Sequence, residues 1–234
     1  MRKCDVVYIL KNNWKIVPEE LRFSLRSLVN FPHRQVWFFG GMPKGFEPDH
    51  ADTFLQEGKD RFEKVRNTII RICETKEVSD DFWLFNDDFF ILKKVCQEFA
   101  YDRGDIMAHY KRLVAIHGFE SPYATALKEA HKALKSAELS TIDYTVHVPM
   151  LINKKTALEA ISAFPDVHGF RNLYGNFAGV ESITIKDVKI SNLHRLPEED
   201  WAFLSTSDGS FQSGQVGRWI REQFPEPSKW EVSK

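Results

Sequence analysis

The stretch Trp83-Leu84-Phe85-Asn86-Asp87-Asp88-Phe89-Phe90-Ile91-Leu92 sets two adjacent carboxylates inside an otherwise almost wholly apolar run. Burying a charge without a partner is very costly. A cation or a dense hydrogen-bond network is therefore expected around Asp87 and Asp88, unless the pair caps the next element or sits in a turn. Carboxylates that end a buried strand can hold Mg²⁺ or Mn²⁺ against a phosphate. Asn86 and Asp88 are two apart and share a face if the strand continues, with Asp87 on the other.

The flanking sequence gives this stretch its place. Asp80-Asp81 turns the chain into a strand over Phe82–Phe85, so Asn86-Asp87-Asp88 lies at its C-terminal end. Upstream, Asp5–Leu10 is rich in β-branched and aromatic residues and reads as a buried strand. Pro18-Glu19-Glu20 looks like a helix start, and Leu21, Leu25 and Leu28 follow at helical spacing until Asn30-Phe31-Pro32. Gln35–Phe39 is a second strand, ended by Gly40-Gly41; residues 42–57 are loop-like. Lys59–Glu74 carries an apolar stripe of Phe62, Val65, Ile69 and Ile72 and reads as a second helix. Strand, helix, strand, helix, strand within about ninety residues predicts a parallel, doubly wound sheet. Ligands of such sheets bind beyond the C-terminal strand ends, so the loops after Leu10, after Phe39 and at Asp87-Asp88 converge on one crevice. With neither G-x-G-x-x-G nor a Walker A sequence, a dinucleotide oxidoreductase or P-loop enzyme is disfavoured.

Downstream, residues 101–140 are polar and rich in His and Lys and read as a helical insertion over the crevice. Ala124–Ala137 is its expected helix, with Lys128, Lys132 and Lys135 along one side. Tyr144–Ile152 returns to strand-like composition, Lys154–Phe164 is a short helix, and Ser182–Ile190 alternates like a last strand. Residues 205–234 form a C-terminal helix and tail. The 234 residues, 43% of them hydrophobic, make one domain with a full core. Thirty-two basic against 33 acidic residues give no general drive onto nucleic acid. Cys4, Cys73 and Cys96 match neither a disulfide framework nor a zinc site, which fits a reducing cytoplasm. The apolar run before Lys11 is too short for a signal peptide, and no later run reaches membrane-spanning length.

Several polar residues are candidates for chemistry, each with a structural alternative. Arg22 and Arg26 are i and i+4, able to clamp a diphosphate or to pair with Glu19 or Glu20 on a solvated face. Arg66 and Asn67, mid-helix, can reach a phosphate or a base, or lie on the surface. His147, inside an apolar run, is a general base for an acceptor hydroxyl or a satisfied core residue. Arg171, Asn172 and Tyr174 form a polar cluster between glycines that suggests a substrate loop. His194, past the last predicted strand, is a further metal ligand or merely exposed.

Three of these segments together resemble a known family. Glu20-Leu21-Arg22-Phe23-Ser24-Leu25-Arg26-Ser27-Leu28 resembles the E-L-R-[FY]-S-L-R-S-[IL] element of the Stealth sugar-phosphate transferases. Phe85-Asn86-Asp87-Asp88-Phe89-Phe90 resembles their F-N-D-D-F-F element, and His147-Val148-Pro149 their H-x-P element. The resemblance, which extends to phage-encoded glycosyltransferases, covers roughly residues 5–195. It implies an α/β, GT-A-like (Rossmann-like) fold with a mostly parallel central sheet flanked by helices. It also implies that Asp87 and Asp88 are the Mn²⁺ or Mg²⁺ and diphosphate element, that Arg22 and Arg26 support the diphosphate, that Asn67 lies near the donor, and that His147 is catalytic. The first strand departs from the family, because Leu10-Lys11-Asn12-Asn13 lacks the functional acid that the Stealth enzymes carry there. Glycosyl transfer from a nucleotide sugar, a UDP-sugar foremost, is therefore expected ahead of sugar-phosphate transfer. The phage likeness implies a hydroxymethylated pyrimidine in DNA as acceptor and the host cytoplasm as location; the alternative acceptor is a glycan. A non-catalytic sugar- or nucleic-acid-binding module is the remaining alternative.

Overall fold

The protein, described by a computed structural model over residues 3–14 and 18–232, is organised around a five-stranded sheet. The basic start at residues 1–2 and the last two residues of the tail lie outside the described residues. Strands β1 (Asp5–Leu10), β2 (Val36–Gly40), β3 (His50–Thr53), β4 (Asp81–Phe85) and β7 (Met150–Asn153) lie in the order β3-β2-β1-β4-β7. The first four are mutually parallel, and β7 runs antiparallel beside β4. Val7 sits between Trp37 and Leu84 in register, so β1 is the central strand.

Both faces of the sheet are covered, which is why its inner strands read as continuous apolar runs. Val6, Tyr8 and Leu10 pack with Trp83 and Phe85 against Leu21, Leu25 and Leu28. The first two of those leucines lie on α1 (Glu19–Ser27). Val7, Phe82 and Leu84 pack on the other face against Ile69 and Ile72 of α2 (Arg61–Glu74) and Ala157 and Ile161 of α5 (Lys154–Ala163). The chain therefore winds across both faces, as the alternating pattern predicts.

A three-stranded sheet adjoins the first. It consists of β5 (Phe89–Ile91), β10 (Phe203–Thr206) and β9 (Lys189–Ile190), with β10 in the middle. A two-stranded pair joins β6 (Tyr101–Asp102) to β8 (Ile183–Thr184). The insertion holds α3 (Ile106–His117) and α4 (Pro122–Ser136). The chain continues through α6 (Phe170–Phe177) and ends with α7 (Asp208–Ser213), α8 (Gln215–Gln223) and a tail.

Four segments depart from the sequence reading. β3 lies within the predicted loop; it is a four-residue edge strand with three polar residues, His50, Asp52 and Thr53, so no apolar run announces it. Only the end of the predicted strand over Tyr144–Ile152 enters a sheet. The amides of Tyr144, Thr145 and His147 bond instead to the side chains of Asn172, Asp143 and Asp187, and Pro149 has no N–H to give. The predicted last strand is two short ones, β8 and β9. The glycine-flanked segment around Arg171 is a helix, α6, entered through Gly169 at φ 88°. Its second glycine serves packing, because a Cβ on Gly175 would lie 2.3 Å from the Tyr144 ring.

Candidate active site

The turn at Asp87-Asp88 ends β4, and β5 begins at Phe89, so the strand does not continue through the acids. Two recesses flank the C-terminal ends of the parallel strands. One, of about 390 Å³, is lined by Ile9, Lys11, Asn12 and Asn13 from β1 and its exit, by Leu55 and Gln56, and by Arg61, Lys64 and Val65 of α2. The other, of about 520 Å³, takes Asn86 and Phe89 from beside the turn, Arg103, His109 and Arg112 from the insertion, and His147, Arg171 and Asp187 from the C-terminal half. Arg61 and Val65 line both, so the recesses meet along one face of α2.

Local chemistry fixes the walls. Asn12 ties the exit of β1 to that of β3, donating to the Phe54 carbonyl at 2.5 Å and accepting the Gln56 amide at 3.0 Å. A Cβ on Gly41 would lie 2.0 Å from the Lys11 carbonyl, so only glycine allows this approach. Asp60 caps α2 by accepting the amides of Phe62 and Glu63, which sets where Arg61 projects.

The two acids of the turn have different surroundings. Asp88 Oδ2 accepts from Lys189 Nζ at 2.9 Å and Ser205 Oγ at 2.8 Å. Asp87 has no side-chain partner among the described residues. Burial, and next the Asp88 charge, push its carboxyl up to about 6, with Lys11 opposing. Glu20 of α1 is pushed up to about 8, first by burial and further by Asp88, Asp87 and Asp208, although Thr206 donates to it at 2.7 Å. Crowded hard oxygen donors of this kind suit a divalent cation. Among the described residues no three His, Cys, Asp or Glu side chains form a ready cage, so His194, exposed and bonded through its own amide to Asn192, completes none with Asp87 and Asp88. Two carboxylates with the remaining positions left to phosphate and water is the usual manner of holding Mg²⁺.

Across the cleft runs a polar chain that the sequence reading missed apart from His147. His147 Nδ1 lies 2.9 Å from both oxygens of Asp187. A carboxylate can only accept, so Nδ1 carries a proton, and in the neutral ring Nε2 is left as the acceptor. Arg103 bridges Asp187 to His109 Nε2, and His109 Nδ1 donates to Asp143 at 2.6 Å. An arginine cannot accept, so His109 is neutral. Burial would raise Asp187, but its bonds to His147 and Arg103 hold it well below the usual carboxylate range. The only sequence trace of Asp187 is an acid interrupting the alternating run 182–190.

The other sequence candidates divide. Asn86 and Arg171 line the cleft with His147. Arg22 and Arg26 do not reach it: both hold Glu231 of the tail, at 2.9 and 2.8 Å, as a carboxylate distant in sequence captures them. Asn67 ties down the loop before α2, donating to the Glu57 carbonyl at 3.0 Å, and lines a separate depression. Arg66 is half-buried on α2 and makes no ion pair among the described residues. Tyr174 is buried in the core beside Phe170, its hydroxyl accepting the Asn153 amide at 2.8 Å. Of the lysine side of α4, Lys128 is paired with Glu120 at 3.3 Å.

The same arrangement of sheets and helices occurs in a solved structure. The galactosyltransferase LgtC, crystallised with donor and acceptor sugar analogues, aligns over 98% of this chain and 98% of its own with a TM-score of 0.50 at 10% identity. The fold is that of a GT-A glycosyltransferase. The glycosyltransferase GlyE of Streptococcus pneumoniae TIGR4 aligns over 99% of this chain and 67% of its own, with a TM-score of 0.47 at 11% identity. No family model and no curated protein sequence matches the chain. Asn86 and Phe89, on either side of the Asp87-Asp88 turn, line the larger recess, and no described helix is long and apolar enough to cross a membrane.

Proposed function

We propose that the protein is a glycosyltransferase that moves a sugar from a nucleotide-sugar donor, a UDP-sugar foremost, to a hydroxyl of a glycan acceptor. The observation that carries this is the carboxylate turn at the end of β4, whose flanking residues Asn86 and Phe89 line the larger of two recesses that meet along α2. The nucleotide would occupy the smaller recess, where Lys11, Arg61 and Lys64 offer cations and Asn12 and Asn13 offer amides. Asp87 and Asp88 would hold Mn²⁺ or Mg²⁺, which when bound neutralises charge on the leaving diphosphate.

The acceptor would enter the larger recess beside His147. Its hydroxyl oxygen attacks the anomeric carbon as the bond from that carbon to the diphosphate oxygen breaks. The bonding pair leaves with the nucleoside diphosphate, and the hydroxyl proton passes to His147 Nε2. Asp187 holds the imidazole in the tautomer that leaves Nε2 able to accept, and Arg103 holds Asp187. Glycan is preferred to DNA as acceptor because Lys128 is already paired and the cleft is small enough for one sugar residue.

The test is product analysis with a panel of nucleotide sugars and Mn²⁺. Release of UDP supports sugar transfer, whereas release of UMP would establish sugar-phosphate transfer instead. Asp87→Asn is the matched variant: Asp87 has no side-chain partner to lose, so the melting temperature should hold or rise while turnover is lost. Full turnover in folded Asp87→Asn would remove the metal and diphosphate assignment.

A further inference from the structure

The larger recess is charged in a way that neutral sugars do not require. Four guanidiniums line it, those of Arg61, Arg103, Arg112 and Arg171, against the single carboxylate of Asp187. Arg103 consumes that carboxylate. The other three have no ion pair among the described residues. Arg171 is held only by backbone carbonyls, its Nε on Tyr144 at 3.1 Å and its Nη2 on Val148 at 2.5 Å, with the Phe89 ring 5.8 Å away. A desolvated guanidinium without a counter-ion is costly, and burial lowers the Arg171 guanidinium to about 10. Arg61 lies over the rings of Phe62 and Tyr123 at 4.7 and 5.6 Å, contacts that leave its N–H groups available at the rim. Arg112 projects from α3 into the cleft and does not line the smaller recess.

From this we infer that the acceptor is an acidic sugar residue, bearing a carboxylate or a phosphate that Arg112 and Arg171 receive while His147 meets the attacking hydroxyl. The inference rests on the glycosyl-transfer reading for the hydroxyl's role, but the anion site itself stands on the unpaired guanidiniums. Planar guanidiniums suit both oxyanions through paired N–H···O bonds. Aromatic walls from Phe62, Phe89, Tyr123 and Phe170 would cover the apolar face of a pyranose ring. Arg61, shared by the two recesses, faces the donor side, which leaves Arg112 as the cation specific to the acceptor.

Calorimetric titration of the full chain with three probes tests this: methyl β-glucuronide, glucose 6-phosphate and neutral methyl β-glucoside. At least one anionic probe should bind about tenfold more tightly than the neutral one, the ratio supplied by one charge-assisted hydrogen bond. Which anion is preferred distinguishes a carboxylate from a phosphate acceptor. Arg112→Gln, on an exposed helical surface, should abolish that preference and leave the neutral probe unchanged. Arg171→Gln should do the same if it folds; Arg112→Gln decides if it does not. Equal binding of all three probes, no binding of any, or an anion preference that survives Arg112→Gln overturns the inference. So does a single-stranded oligodeoxycytidine that binds more tightly than either anionic sugar and loses affinity in Arg112→Gln, which would put nucleic acid in the cleft. Thermal stabilisation by nucleotide sugars on the same sample separates the two readings: donor binding without anion preference sinks only this one, and anion preference without donor binding sinks only glycosyl transfer.

Discussion

Glu231→Ala would release the two arginines that sequence alone assigns to a diphosphate. Glu231 Oε1 accepts Arg26 Nε and the Ser228 amide, each at 2.8 Å; Oε2 accepts Arg22 Nη1 at 2.9 Å and Arg26 Nη2 at 2.8 Å. The Glu231 side chain is 6% exposed and that of Arg26 12%, so removing the acid strands a largely buried guanidinium. Breaking such a pair costs about 3–5 kcal/mol. Arg22, at 29% exposure, recovers water, which favours the lower end. At 2–4 °C per kcal/mol for a chain of this size, the melting temperature should fall by about 6–12 °C. Burial would raise the Glu231 carboxyl, but Arg26, the Ser228 amide and Arg22 outweigh it and hold it below the usual range. A depressed folded value stabilises above the unfolded value, near ~4.3, and that stabilisation is lost as pH falls through the folded one. The gap between wild type and variant should therefore be full at neutral pH and close in acid. Thermal melts by circular dichroism over the acid-to-neutral range measure it, and the shift produced by a nucleotide sugar should match that of wild type. A variant that melts with wild type refutes the clamp. An unchanged melt with weakened donor binding would return Arg22 and Arg26 to the diphosphate.

Three further perturbations follow from the site and its supports. Asp187→Asn should reduce kcat by about 10²-fold or more with a smaller change in KM, because it removes the carboxylate charge and offers an amide NH₂ that can donate to Nδ1 and favour the other His147 tautomer; an unaltered pH–rate profile would show that His147 acts without it. Gly175→Ala should destabilise the fold by about 1–3 kcal/mol, since the new Cβ meets the Tyr144 ring at 2.3 Å, and a wild-type denaturant midpoint would contradict that packing. Glu20→Gln should melt with wild type in acid and above it at alkaline pH. Its carboxyl is raised to about 8, so the wild type loses stability as pH rises from the unfolded value through about 8, and the amide does not titrate. A parallel pH dependence in both proteins would place Glu20 outside the influence of Asp87 and Asp88.

Much of the fold is legible in the sequence because its inner strands are buried on both faces. β1, β2 and β4 are unbroken apolar runs, and α1 and α2 carry their apolar residues at helical spacing. The edge strand β3 has one neighbour and polar residues, so composition carries no trace of it. The segment around His147 misleads for the opposite reason. It has strand composition, but side chains distant in sequence take its amides: Asn172 lies 28 residues from Tyr144, and Asp187 lies 40 from His147. Pair partners across such distances leave no periodic signal. The same limit explains Arg22 and Arg26, whose i,i+4 spacing marks a shared face correctly while Glu231, over 200 residues on, decides what that face holds.

The acidic turn shows how far a site can depend on chain that follows it. Asp87 and Asp88 are neighbours, yet Asp88 is oriented by Lys189 and Ser205, more than 100 residues later, while Asp87 is left unpartnered. β5 leaves the turn directly into antiparallel pairing with β10, so the strand that carries Ser205 also fixes where the turn points. Thr206, the next residue on β10, donates to Glu20 of α1. One strand of the second sheet thus holds the carboxylates of two elements of the first half at close quarters; burial first, and the neighbouring acids next, push Glu20 up to about 8 and Asp87 up to about 6, so Glu20 keeps its proton at neutral pH and Asp87 takes one up below about 6. A divalent cation entering there must displace those protons. Mn²⁺ affinity should therefore rise with pH across the interval between about 6 and 8 that Asp87 and Glu20 define, and should flatten in Glu20→Gln. A pH-independent affinity in the wild type would mean that the ion sits away from this pair.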